Sequence, residues 1–417
     1  MRTNWDVIVV GAGLAGLTAG ATAASGGADT VVLEAHQLGG RARTVTKGPY
    51  VFNMGAHALY VGGPGTKILR SLGVHPNGSP SPILRYKLLK DGELHDIPFG
   101  PDRLAGSTLL GTASKIQFSQ VLDLVSTELT AALTGTTVDQ WIADHNIRPD
   151  VEAIFRALIR LSTFMVDTSE FSADAAIRQL QLGARPGVLY LHGGWTQLIE
   201  GLSRQVQVES GCKIMALEPN GKYVVVRTGE TVLRARQVIV ASGGPISTRA
   251  LLPEDPCWPG LGRPLTAACL DLGLTRVPSP GYVLSIDEPL VGVVQSPPGR
   301  QAPEGQAVVQ AIKYGATVAK ADRLSLERHV ARLGVEADDI GTSRFLARMV
   351  VAGSTPRATD GGLSGRPRVT DSGQRGVYIA GDWIGPEGLL VDASIASGHE
   401  AAREALRNLE RMSVVVA

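Results

Sequence analysis

The residues with the clearest chemical potential lie near the start of the chain. Gly11, Gly13 and Gly16 stand in G-x-G-x-x-G spacing within GAGLAG, and Glu34 closes the next apolar run, DTVVLE at 29–34. In that spacing the glycines have separate uses: a tight turn, close backbone approach to a pyrophosphate, and close packing of helix on strand. Ala15 lies within the same glycine loop, just before the helix whose free N–H groups and positive dipole end attract phosphate. A carboxylate at Glu34 suits the free hydroxyls of an adenosine ribose and disfavours a 2′-phosphate. HQLGGRART at 36–44 adds a Gly39-Gly40 turn, then Arg41 and Arg43, both good partners for an anion. The plainer alternative is a glycine-rich βα turn beside a solvated basic loop.

Further candidates are scattered. His57 sits in the apolar stretch YVFNMGAHALYVGG (50–63), after Gly55. An ordinary imidazole pKa near 6.5 would let it shuttle protons, but a pocket contact and a packed core histidine remain open. Gly381 and Asp382 end GVYIAGD (376–382), and Trp383, which follows them, is a candidate for the substrate pocket. A carboxylate at the carboxyl end of a sheet strand is where ligands bind in α/β folds. Lys313 and Tyr314 end a strand-like run and are pocket candidates, with a solvated lysine as the alternative. His192 and His399 read as structural or exposed, His145 and His329 as surface residues.

The positioning elements follow from periodicity. DVIVV (6–10) is a β-branched run suited to a strand buried on both faces, LTAGATAAS (17–25) a small-residue helix, and 29–34 a second strand. GVYIAGD reads as another strand, and DASIASGHEAAREAL (392–406) as a helix. YLHGGWTQLIEGLSRQV (190–206) is a Gly-Gly turn and an amphipathic helix, and 211–245 alternates like β-hairpins. Residues 104–182 read as mainly helical, with a capping box from Thr137 to Gln140. LTAACLDLGL, YVLSI and QAVVQAIKYG, within 264–315, read as strands.

The segments DVIVVGAGLAGLTAG, VVLEAHQLGGRART and GVYIAGDWIGPEGLLVDASIASGHEAA together resemble the FAD-dependent amine oxidase superfamily, closest to its phytoene desaturase and protoporphyrinogen oxidase-like branch. The resemblance implies an α/β, two-domain, glutathione-reductase-like fold: an FAD-binding Rossmann domain with a mixed sheet-plus-helix substrate domain. On this reading 1–84, 189–254 and 356–417 build the FAD domain, 85–188 the helical part of the substrate domain, and 255–355 its sheet. It further implies FAD contacts at Gly40, Arg41, Gly55, Ile214, Gly381, Asp382, Leu390 and Asp392, the last two opening a helix aimed at the flavin N1–O2 edge. His57 then falls at the boundary between flavin and substrate, and otherwise the flavin itself carries the chemistry. The implied activity is hydride removal from a C–H bond of a largely hydrophobic small molecule, giving C=C or C=N. Oxygen or another acceptor takes the electrons. An amine or amino-acid oxidase, and a flavin-binding protein without turnover, are the rival readings.

Composition bounds these expectations. At 417 residues, 44% hydrophobic and 19% charged, the chain suits two soluble globular domains. A formal net charge of +1 gives no reason to expect nucleic acid as a partner. Cys212, Cys257 and Cys269 form no metal-binding or disulfide pattern, which points to a reduced, cytoplasmic setting. No cysteine follows Cys269, so FAD is expected to be held non-covalently. There is no signal peptide and no run long enough to span a bilayer, so the protein is expected to be soluble or at most peripheral. A second G-x-G-x-x-G is missing, which disfavours a nicotinamide-fed monooxygenase. Aromatics are only 5% of the chain, and no paired aromatic cage for a simple amine is visible.

Overall fold

The computed structural model describes residues 2–55, 57–254, 256–258 and 261–414. Two seven-stranded sheets dominate it. In the first, Asn4–Val10 lies between Thr30–Glu34 and Val232–Val240, parallel to both. Gln207–Ser210 extends the sheet beyond Thr30–Glu34, and Val377–Ile379 pairs in parallel with Val232–Val240. The hairpin Ile214–Asn220 and Tyr223–Thr228 completes it in antiparallel fashion. Val7, Ile8 and Val9 are fully buried, as a β-branched run covered on both faces should be.

Helix Leu14–Ser25 packs against the last helix, Leu390–Val414. Small residues permit this: a Cβ at Gly398 would collide with the carbonyl of Ala15, and one at Gly20 with Val32. The two helices therefore bring the front and back of the chain to one place.

The second sheet runs Ile340–Ala352, Leu265–Leu274, Ala307–Tyr314, Leu290–Ser296, Tyr282–Ser285, Lys87–Lys90, Glu93–Asp96. All its pairs are antiparallel except Tyr282–Ser285 with Lys87–Lys90. One face packs on helices that include Pro149–Thr163 and Ala173–Ala184. Helix Ala319–Arg332 and Leu333 cover the other face, where a Cβ at Gly292 would strike Leu333. The capping box is present: Gln140 N–H donates to Thr137 Oγ1 (3.1 Å) and Thr137 N–H to Gln140 Oε1 (2.9 Å).

Some elements differ from expectation. The helix after the Gly-Gly turn is shorter, Thr196–Ser203, with Val188–Leu191 ahead of it as a strand. The hairpin Lys87–Asp96 and the 13-residue strand Ile340–Ala352 were not expected. The latter is largely exposed and carries register shifts against its neighbour, so its apolar alternation is broken. His329 is 3% exposed, not a surface residue; its Nε2 lies 3.1 Å from the Val283 carbonyl.

Candidate functional site

A single cavity of about 2000 Å³ runs between the two sheets and is lined at one end by the glycine motif. Gly11 adopts φ +103°, and a Cβ there would come within 2.5 Å of the Ala241 carbonyl oxygen, so only glycine fits the turn. A Cβ at Gly13 would meet nothing within 4 Å. No protein neighbour demands a glycine at Gly13; what it leaves open is bare backbone at the first helix's N-terminus, facing the cavity. Gly16 is not on the wall: a Cβ there would overlap the Gly11 carbonyl, which makes it the packing glycine. Ala15 and Gly40 line the cavity beside them.

Glu34 is held for one task. Its Oε2 accepts Ala12 N–H (2.7 Å) and its Oε1 accepts His36 N–H (2.9 Å), leaving lone pairs on the cavity side. Ile214 lines the same end, two residues after Cys212, whose N–H donates to the Glu34 carbonyl (2.9 Å).

Arg41 sits in the turn Gly40–Ala42 and joins the two ends of the chain. Its Nη1 donates to Asp382 Oδ2 (2.9 Å) and to the Val351 carbonyl (2.8 Å). Asp382 Oδ2 also accepts Gly353 N–H (2.9 Å), while Oδ1 is buried without a partner among the described residues. Arg43 Nε is likewise buried and unpaired. Such orphans beside a cavity mark where a polar ligand completes the hydrogen bonding. Gly381 and Leu390 line this wall too, Leu390 at φ +54°.

The cradle of backbone N–H groups, the ribose-directed carboxylate and the unpaired Arg43 and Asp382 atoms fit a dinucleotide. Asp392 does not belong to this wall. Two residues past Leu390 on a helix it points to the far side, where its Oδ1 accepts Gly65 N–H (2.8 Å) and caps helix Pro64–Ser71. Burial pushes its carboxyl up to about 7.

Gly55 and His57 lie where the dinucleotide end meets the rest of the cavity. Gly55 has φ +111°, and a Cβ there would press on Met349 Sδ at 2.7 Å. Its carbonyl faces His57 Nδ1 (2.7 Å) and accepts Gln310 Nε2–H (3.0 Å). The imidazole lies 4.7 Å from the Trp195 ring, tilted by 57°. Burial pushes its pKa down to about 4, with the Arg41 and Arg344 charges adding to the effect. That weighs against the proton-shuttle reading: His57 lines the cavity wall, and an imidazole whose pKa is lowered by burial is a poor base for a shuttle near pH 7.

Sequence reasoning missed the group behind this segment. Asp271 and Gln310 face each other on adjacent strands. Gln310 Nε2 donates to Asp271 Oδ1 (2.8 Å), Arg344 to Asp271 Oδ2 (2.6 Å), and Arg344 also to the Asn53 carbonyl. The second sheet thus grips 53–55 by its carbonyls. The available signal was a pair of polar residues inside otherwise apolar strands. Arg366 was also missed. It is buried, donates to the carbonyls of Asp382 (3.2 Å) and Gly388 (2.7 Å), and braces the loop before the last helix.

The remaining pocket candidates separate by strand face. Tyr314 and Ile312 line the cavity, whereas Lys313 between them points the other way and pairs with Asp322. Lys313 is therefore not a pocket residue. Neither is Trp383: it is fully buried, donates Nε1–H to the Gly243 carbonyl (2.9 Å) and packs against Trp258 (4.7 Å). The few aromatics are concentrated, with Tyr60, Tyr86, Phe99, Phe155, Phe164, Tyr190, Trp195 and Tyr314 all on the cavity wall.

Residues 14–276 match the family of flavin containing amine oxidoreductases, and the chain belongs to that family. Its cofactor is FAD, and it is an FAD-dependent oxidoreductase. Solved structures with the same fold include putrescine oxidase bound to putrescine (TM-score 0.70, 15% identity, covering 97% of this chain and 99% of that one). Cyclohexylamine oxidase from Brevibacterium oxydans IH-35A gives TM-score 0.69 at 17% identity, covering 97% and 99%. An oxidoreductase from Methanosarcina mazei gives 0.71 at 18%, covering 95% and 99%. No curated protein sequence matches the chain. Among the described residues no helix is long and apolar enough to cross a membrane.

Proposed function

We propose that this flavoenzyme removes hydride from a C–H bond of a largely hydrophobic, uncharged small molecule, forming C=C or C=N. The observation that carries the reading is the chamber beyond His57. Its wall includes Phe99, Leu122, Val125, Phe155, Leu158, Leu161, Phe164, Leu180, Val291, Val293 and Ile312. Among the described residues, the acids lining the cavity are Glu34 and Asp382 at the dinucleotide end, and Asp123 and Glu128 at the last turn of helix Thr112–Thr127 and just beyond it. A cation deep in the chamber would be desolvated without a counter-charge, at a cost of several kcal/mol.

Bound FAD supplies the hydride acceptor, and oxygen or another acceptor reoxidises it. Gly11, Gly13, Glu34, Gly40, Arg41, Ile214, Gly381, Asp382 and Leu390 would hold it, and Gly55 and His57 line the cavity between these residues and the chamber. The apolar wall orients the substrate by shape and the cofactor carries the redox chemistry; the proton lost together with the hydride leaves to solvent. We read the chain as two interleaved domains, with 1–84, 189–254 and 356–417 forming the cofactor body. The sheet memberships support that division.

The second reading, an amine oxidase, draws on the neighbours' substrates, putrescine and cyclohexylamine. Anaerobic titration of the purified flavoprotein separates the two. Bleaching of the flavin by neutral polyenes or polycyclic hydrocarbons, with amines inert, is expected. Bleaching by primary amines with ammonia release would sink the proposal. Acid denaturation should release free FAD, since attachment is expected to be non-covalent.

A further inference from the structure

The apolar chamber contains one group of polar side chains that the reaction described above does not use. Tyr86 Oη and Tyr190 Oη lie 3.0 Å apart, and Ser81 Oγ donates to Tyr190 Oη at 3.2 Å. Ser81 is within hydrogen-bonding reach of Tyr86 as well. All three line the cavity, the tyrosines at 3% and 4% exposure. They come from separate places in the fold: Ser81 just after strand Gly78–Pro80, Tyr86 just before strand Lys87–Lys90, and Tyr190 within Val188–Leu191. Among the described residues, none of the three hydroxyls bonds a carbonyl or a charged group. Tyr60, by contrast, is committed to the Ser162 carbonyl (3.1 Å).

Gln295 supplies a further polar group on the same wall. It is 2% exposed and lines the cavity. It stands on the same strand face as Val293, whose cross-strand partner Tyr282 packs on Tyr86 at 5.3 Å. Buried polar groups in proteins are almost always satisfied. A neutral amide beside hydroxyls bonded only to one another, in an apolar chamber, can exchange those bonds for bonds to a ligand.

We propose that Ser81, Tyr86, Tyr190 and Gln295 form a neutral hydrogen-bonding subsite that anchors an uncharged oxygen function of the substrate, a carbonyl or hydroxyl. The inference rests on the apolar-chamber reading and specifies its substrate class: a hydrophobic molecule with one neutral oxygenated end. The charge balance disfavours an ammonium, which would meet no acid among these hydroxyls, and burial holds the tyrosine hydroxyls protonated far above neutral pH. A carbonyl oxygen can accept from any hydroxyl whose proton turns out of the ring, and a hydroxyl can exchange both ways. Anchoring one end would select which C–H bond faces the dinucleotide end.

The test uses FAD-loaded protein and calorimetric binding of a matched set: 4-phenylcyclohexanone, phenylcyclohexane and 4-phenylcyclohexylamine. Wild type should bind the ketone more tightly than the hydrocarbon and the amine least. Y86F and Y190F keep the rings and should lose the ketone advantage by about five- to tenfold, with hydrocarbon affinity unchanged. S81A should lose less. Flavin content and melting temperature, unchanged in the variants, separate lost anchoring from misfolding. A hydrocarbon bound as tightly as the ketone by wild type would overturn the subsite alone, as would a ketone advantage that survives in Y86F/Y190F. Failure of both hydrocarbon and ketone to bind wild type would overturn the apolar-chamber reading, and the subsite with it.

Discussion

The two ends of the cavity are built from different material. At the dinucleotide end the wall is largely main chain: Gly11, Gly13, Gly39 and Gly40 present backbone, alongside side chains such as Glu34 and Arg41. At the chamber end the wall is side chain, supplied by helices and by one face of the second sheet. Backbone recognition depends on places where a side chain cannot go, so it tolerates almost no change. A side-chain wall depends on summed volume and polarity, so it can be redrawn residue by residue.

Substitutions at the two ends should therefore fail in different ways. The largest effect is expected for Gly11→Ala. The new Cβ would lie 2.5 Å from the Ala241 carbonyl oxygen, in a left-handed backbone conformation. Purified protein should carry no flavin absorbance, or should not fold; normal flavin content would undo the backbone account. Glu34→Gln comes next. It keeps the shape but removes the charge that receives Ala12 and His36 N–H, and FAD affinity should fall about 10- to 100-fold by equilibrium dialysis.

At the chamber end, Val293→Asp should leave flavin content intact while lowering kcat/KM for apolar substrates about tenfold or more, since an uncompensated carboxylate then faces the ligand. If flavin is lost instead, the two ends are not separable. The smallest effect concerns the boundary. His57 titrates near 6.5 in the unfolded chain and near 4 in the folded one. The unfolded chain thus binds a proton that the folded chain refuses. This contribution to stability is complete above about pH 6.5 and drains away as pH falls toward 4. Thermal melts of wild type against H57Q across that range should differ by on the order of 1–2 kcal/mol. The rate profile should show no limb near pH 6.5 that H57Q abolishes; such a limb would restore the shuttle role.

The contrast also explains what could be read from the sequence. Gly11, Gly13, Gly16 and Glu34 act within one short βαβ stretch, so their spacing alone carries the message. Asp271 and Gln310 meet only because two distant strands pair in one register, and no local pattern records that. Lys313 and Tyr314 show the same limit at the scale of one residue. Their strand was legible, but which face meets the cavity depends on what packs on either side. Asp392 failed for a helical version of this reason: the start of the helix was readable, its rotation was not. The strand Ile340–Ala352, which supplies Met349, Val350 and Val351 to the wall, escaped notice because bulges and exposure break its alternation.

The walls of the dinucleotide end are spread along the chain, from Gly11 through Ile214 and Ala241 to Gly381, Asp382 and Ser394. Ribosomes make proteins from the N-terminus, and early segments begin to fold as they emerge. Here the Rossmann turn is made well before Asp382 and helix Leu390–Val414, and it waits for both before the wall can close over a cofactor. The complete wall is therefore available to FAD only once those later segments are in place, and ligand binding stabilises that folded form. Cofactor supply in the cell would then govern how much of this protein accumulates, as well as how much of it is active.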